Sequence, residues 1–222
     1  MTPKPQQNSR KKWPDWAVQV AGWLPLAVLA GAYLAGGLGF NPVESVLRWS
    51  GRTAVAFLLL SLACTPAHRI FNLPVVFRLR KPLGLFAALY AGLHFAAFAI
   101  WDYRLNLSLI WDEILNKPFI LLGLVALIVL LLLAATSFRS SRRLLGKVWQ
   151  WLHRLVYAAG ILALLHYLLA IKGDLFSLQG AYAPPLIAAG ILILLLILRI
   201  PAIHQSLRRL VKRYYPPTKS SP

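Results

Sequence analysis

Three histidines, His94, His153 and His166, stand inside long apolar runs, in the strings LYAGLHF, WQWLHRLVY and LALLHYLL. Imidazole is costly in hydrocarbon and is kept there for a purpose. One such purpose is to hold haem iron from an axial position. His94 lies seven residues before Trp101, and His166 five residues before Ile171. If those residues mark the same ends of two parallel helices, the histidines differ in depth by only about 3 Å. That would let His94 and His166 ligate one haem iron from opposite faces. His153 precedes His166 by thirteen residues, roughly 20 Å along a helix and some 140° around it. The residue thirteen before His94 is Lys81, which cannot ligate while charged. The pattern therefore gives one bis-histidine pair and leaves His153 as a candidate second haem ligand without a partner. His68 and His204 sit in basic segments and read as solvated surface residues.

Something must position these side chains. The chain has 222 residues, of which 59% are hydrophobic. Its mean hydropathy is +0.63. Uncharged runs recur over 16–36, 83–101, 118–138, 155–171 and 179–198. Several reach the roughly 20 residues that cross about 30 Å of hydrocarbon. The expectation is an all-α integral membrane protein, a six-helix transmembrane bundle. Its spans fall near 16–36, 46–65, 82–101, 118–137, 149–171 and 182–199. Residues 1–15 form a basic N-terminus, 16–199 the membrane domain and 200–222 a basic tail. Pro82 and Pro118 are read as helix openers. The first run shows no small-residue cleavage pattern and is expected to insert and stay.

Charge sets the expected orientation. Lys4, Arg10 to Lys12, Arg69, Arg78 to Lys81, Arg139 to Lys147 and Arg208 to Lys219 fall on one side. Five of the six acids, Glu44, Asp102, Asp112, Glu113 and Asp174, fall on the other. The positive-inside rule then places both termini in the cytoplasm. The net charge of +18 follows from that rule and gives no reason to invoke nucleic acid. Trp13, Trp16, Trp49, Trp101, Trp149 and Trp151 read as interfacial aromatic belts. The single cysteine, Cys64, excludes an intrachain disulfide. No internal repeat and no glycine-rich dinucleotide motif stands out. The basic strings at 78–81 and 139–143 suit haem propionates, a flavin phosphate or anionic lipid, though orientation alone explains them.

Four stretches carry a family resemblance. They are NPVESVLRWSGRTAVAFLLLSLACTP at 41–66, RLRKPLGLFAALYAGLHF at 78–95, NKPFILLGLVALIVLLLLAATS at 116–137 and RRLLGKVWQWLHRLVYAAGILALLHYLL at 142–169. In order and spacing the chain resembles the MsrQ (YedZ-type) haem-binding membrane subunits, within the ferric-reductase-like transmembrane group. The resemblance implies haem b, in one or two copies, held by His94, His153 and His166, and an FMN requirement with no ligands assigned. It implies no catalytic residue of the chain's own. It implies electrons from the quinone pool, or from a cytoplasmic flavin reductase, passing to a periplasmic molybdopterin methionine sulfoxide reductase. It also implies a bacterial inner-membrane location. Other ferric-reductase-like proteins carry a second histidine on the third helix, which is absent here. The alternatives are a stand-alone ferric-reductase-like cytochrome b, or a small transporter or membrane anchor with structural histidines.

Overall fold

The computed structural model describes residues 13–171 and 182–214. Every element among them is helical: α1 (Trp13–Leu34), α2 (Pro42–Phe71), α3 (Pro74–Ala97), which continues into a π-helical turn (Phe98–Asp102), α4 (Leu107–Asn116), α5 (Pro118–Ala135), α6 (Arg139–Leu169), α7 (Ala183–Ile197) and α8 (Pro201–Tyr214). Five helices are long and apolar enough to cross a membrane. The sixth expected span is shorter than its sequence suggested. α7 has 15 residues, about 22 Å, and α8 leaves it at 79°. Many large apolar side chains point outward, among them Leu121, Ile128, Leu131, Ile187, Ile193 and Leu194. Closed helical backbone with an apolar exterior is what hydrocarbon requires.

Two antiparallel hairpins form the centre. α2 packs most heavily on α3, and α5 on α6. Leu58, Leu62, Phe86, Tyr90, Leu130, Ala159 and Leu192 are among the buried residues joining them into one core. α1 lies against this core, where the Tyr90 hydroxyl donates to the Gly22 carbonyl at 2.8 Å and Trp49 Nε1 to that of Pro25 at 3.1 Å. Glu44, Asp102, Asp112 and Glu113 gather at one end of the bundle, hereafter the acidic end. The α2–α3 turn, Arg139 to Lys147 and the α7–α8 bend gather at the other, the basic end.

Several boundaries differ from the expected ones for local reasons. α2 starts at Pro42 because Asn41 caps it, its side chain accepting the Glu44 N–H at 3.1 Å. It also runs through Thr65-Pro66 to Phe71, so His68 is helical and half-buried against Phe77 rather than in a loop. Pro66 has no N–H for the Leu62 carbonyl. Arg199 Nη2 donates to that carbonyl instead, at 2.8 Å. α3 begins at Pro74, not Pro82, which lies inside it. The segment 102–117 contains the unanticipated α4, capped by Asn106, with Ile110 and Ile114 packed beside Phe98 and Leu124. α6 reaches back to Arg139 across a break at Gly146, whose φ of 49° suits glycine. The tail is helical to Tyr214. Lys172 and Asp174 lie outside the described residues, as do the rest of 172–181 and the ends of the chain. The side chain of His204 does too.

Candidate functional site

His94 near the end of α3 and His166 near the end of α6 face each other at the acidic end. Their ring centroids are 6.0 Å apart and their planes 81° apart. Each ring is fixed by the first helix of its own hairpin. His94 Nδ1 lies 2.9 Å from the Leu47 carbonyl on α2, with Ser50 Oγ at 3.5 Å. His166 Nδ1 lies 2.7 Å from the Phe119 carbonyl on α5. A carbonyl only accepts, so both Nδ1 atoms carry a proton, which in the neutral imidazole leaves the lone pair on Nε2. Among the described residues nothing bonds to either Nε2.

The carbonyls are reachable for a specific reason. Four positions after Leu47 stands Gly51, and four after Phe119 stands Gly123. In a helix that residue's N–H bonds to the carbonyl in question, and its side chain would crowd the approach. A Cβ on Gly51 would lie 3.1 Å from His94 Nδ1, and one on Gly123 only 2.7 Å from His166 Nδ1. The absent Cβ atoms are the space in which the imidazoles sit.

The two cradles are copies in register. Each histidine follows its carbonyl by 47 residues. A shift of 72 positions carries Leu47, Gly51 and His94 onto Phe119, Gly123 and His166. The hairpins are therefore parallel repeats in geometry, although the sequence showed no evident repeat. The glycines are positions in the candidate site that sequence reading missed. The available signal was this shared offset.

His153 is held differently and apart from the pair. Its ring stacks on Trp149 at 3.9 Å between centroids. Nδ1 meets the carbonyl of Trp149 in its own helix at 3.1 Å. Nε2 is buried and has no hydrogen-bond partner. Trp149 is itself anchored to the end of α5 by Nε1 donating to the Thr136 carbonyl at 2.9 Å. No described histidine stands opposite His153. The same 72-residue shift carries Lys81 onto it, and Lys81 is exposed, its ammonium over the Phe138 ring at 5.5 Å.

The paired site fits a haem on the structure's own terms. No group of three or more histidine, cysteine or acidic side chains that could hold a bare metal ion exists among the described residues. A bare zinc site needs three or four protein ligands. Iron already held in a macrocycle takes its axial ligands from the protein, and two are present. Imidazole–metal bonds of about 2.0–2.1 Å on opposite sides of one iron place the ring centroids roughly 6 Å apart, as observed. Nδ1–H bonds to carbonyls are the usual means of fixing a ligating histidine's tautomer and orientation.

A family model described as "Ferric reductase like transmembrane component" matches residues 21–165, more than half of the chain. The match spans α2, α3 and α5, both cradles, His94 and His153, and stops one residue before His166. With the apolar helices, it makes the chain a multi-pass membrane protein.

Proposed function

The chain belongs to the ferric-reductase-like transmembrane family, whose members generally bind haem and flavin, and from that premise we propose that it is the haem b subunit of a periplasmic methionine sulfoxide reductase system. The family makes it a membrane electron-transfer component. The observation that carries the finer reading is the pair of matched cradles around His94 and His166. Both imidazoles are fixed at Nδ1 and unbonded at Nε2, with their ring centroids 6.0 Å apart. Haem b bound there supplies a one-electron redox centre. The protein's own work is to hold the rings rigidly, so that little rearrangement accompanies a change of charge, and to surround them with apolar helices that keep water out. His153 is offered as a ligand or contact for a second redox group nearer the basic end. FMN enters through the family resemblance alone, with no residue assigned.

In this reading the basic end faces the cytoplasm and the acidic end the periplasm of a bacterial inner membrane. The donor is the quinone pool, with a cytoplasmic flavin reductase as second choice. The acceptor is a periplasmic molybdopterin subunit that reduces methionine sulfoxide in damaged proteins. α4 and its acids Asp112 and Glu113 lie on the acceptor's side, with Ile110 and Ile114 in one cluster with Phe95 and Ile120, the sequence neighbours of His94 and Phe119.

Two experiments test this. A reduced-minus-oxidised spectrum of the purified chain, with pyridine extraction, should show low-spin haem b; the absence of haem bands would leave a transporter or anchor. Reduced chain in lipid vesicles is then mixed with the molybdenum subunit and methionine sulfoxide. Reoxidation on mixing is expected. A spectrum that stays reduced, with the subunit active toward an artificial donor, would exclude this acceptor. Orientation is checked separately with a C-terminal alkaline phosphatase fusion, which should be inactive.

A further inference from the structure

The basic end contains a second constellation that the paired histidines do not use. Arg69 in the last turn of α2, Arg80 in α3 and Arg199 at the α7–α8 bend lie within electrostatic reach of one another. Like charges so placed repel unless something negative sits among them. Four of the six acids have described side chains, Glu44, Asp102, Asp112 and Glu113, and all four are at the opposite end. The ion pairs among the described residues, Arg48 with Glu44 and Lys117 with Glu113, are there too.

The same region holds polar atoms with nothing to bond. Thr65 is 7% exposed, yet its Oγ1 is buried without a partner, as are His68 Nδ1 and Arg199 Nε. Buried polar atoms are rarely left so. A helical threonine can satisfy itself on the carbonyl one turn back; this one does not. Thr65, His68 and Arg69 are three and four residues apart, on one face of α2. Arg199 is locked against the same helix one turn before Pro66. Its Nη2 donates to the Leu62 carbonyl, its Nη1 to the Tyr157 hydroxyl, and its guanidinium lies 4.6 Å from the Tyr157 ring centroid. The positive-inside rule accounts for Arg78, Arg139, Arg142 and Arg143, which are exposed. It does not account for the half-buried guanidiniums of Arg80 and Arg199 beside unsatisfied buried donors, with the exposed Arg69 next to them on α2.

We infer that the basic end of the bundle is a binding site for a phosphate group, held by Arg69, Arg80 and Arg199 and bonded by Thr65 and His68. Guanidinium recognises phosphate through paired, charge-assisted hydrogen bonds. Every unsatisfied atom named here can serve as a donor. A phosphodiester offers only acceptors at pH 7, and inorganic phosphate still offers at least two unprotonated oxygens. The site lies in the last turns of α2, near the end of one candidate span. Two sources share the chemistry: an anionic phospholipid headgroup, and a soluble phosphate reaching the same cluster from the aqueous side. The inference does not depend on the haem reading.

The test uses the full-length chain in phosphatidylcholine vesicles and reads its thermal unfolding midpoint. Phosphatidylglycerol is added to the bilayer in one arm, inorganic phosphate to the solution in the other. A rise in the first arm assigns the site to lipid, and a rise in the second to soluble phosphate. Arg80→Gln should weaken the effective arm about tenfold, the worth of one charge-assisted contact. Arg142→Gln, an exposed charge outside the cluster, should leave it unchanged. Thr65→Val guards against a variant that merely misfolds. With a phosphate bound, losing the hydroxyl weakens the response to the probe. Were the hydroxyl simply unsatisfied, the valine would raise the midpoint and leave the response intact. No rise in either arm, or equal responses from Arg80→Gln and Arg142→Gln, would overturn the proposal.

Discussion

The two hairpins are built alike at the acidic end and differently at the basic end. Towards the acidic end, α2–α3 and α5–α6 each offer a histidine, a carbonyl on the neighbouring helix and a glycine four residues later, at the same separations. Towards the basic end the correspondence fails. His153 occupies a half-buried position stacked on Trp149, while its counterpart Lys81 is exposed. Arg80 beside Lys81 lies within reach of His153. Repetition makes a two-sided ligand set out of one design. Its loss leaves a single unpaired imidazole in a cationic setting. The difference suggests a division of labour, with a symmetric redox site at one end and an anion-binding site at the other.

The largest effect that tests this comparison comes from the pair itself. His94→Ala or His166→Ala should each remove most low-spin haem absorbance from the purified protein, because each takes away one of two axial nitrogens. His153→Ala should leave most of that absorbance and lower electron transfer instead. Full retention of haem with an unchanged spectrum in either of the first two variants would break the pairing.

A smaller, graded effect should follow from the cradles. Gly123→Ala puts a Cβ 2.7 Å from His166 Nδ1, closer than real Cβ contacts come, whereas Gly51→Ala puts one at 3.1 Å from His94. The first must displace the ring from its carbonyl; the second asks for a shift of a few tenths of an ångström. Haem content measured per protein should therefore fall in the order wild type, Gly51→Ala, Gly123→Ala. The reverse order would mean that the imidazoles are not positioned by these contacts.

Sequence reading reached the histidine pair because helical rise alone converts position into depth, and the outer ends of both helices were marked by Trp101 and Ile171. It did not reach Gly51 and Gly123. The chain has 14 glycines, and what sets these two apart is a carbonyl–imidazole contact between helices, which is tertiary. The same limit explains α2. Thr65-Pro66 reads locally as a break, and the helix continues because Arg199, 137 residues away at the carbonyl it serves, makes the missing bond. α4 did carry signals, Asn106 as a cap and Ile110 with Ile114 at helical spacing, but the nearby Asp112, Glu113 and Lys117 made the segment read as a loop. The tail read only as a basic segment, and its charges hid the helix Pro201–Tyr214. The orientation rests on charge asymmetry.

The Pro66–Arg199 arrangement belongs to the basic end and has no counterpart in the second hairpin. Removing Arg199 as Arg199→Leu orphans the Leu62 carbonyl and should cost about 1–3 kcal/mol. In a Pro66→Ala background the alanine N–H supplies the bond, so the same substitution should cost less. A double-mutant cycle on unfolding midpoints should give a coupling of about 0.5–3 kcal/mol, the range for directly interacting residues. Additivity within about 0.5 kcal/mol would show that Arg199 is retained for its charge alone.

The smallest expected effect is the sharpest test of why the ends differ. Lys81→His restores the residue type that the repeat lacks, so histidine count alone would forecast a second bis-histidine haem with His153. The structure forecasts none. Position 81 is exposed and its side chain lies over Phe138, away from any carbonyl-and-glycine cradle. The residue corresponding to Trp149, which stacks on His153, is Phe77, and Phe77 is already engaged with His68 at 5.3 Å between centroids. A histidine there has no contact to fix its tautomer, its direction or its distance from His153. Ligation would have to offset the entropy of ordering the ring, which costs more when no packing has ordered it beforehand. Haem content and the reduced-minus-oxidised spectrum should therefore match wild type. A second haem equivalent in the Lys81→His variant would show that residue type, not the cradle, decides where this bundle takes up haem.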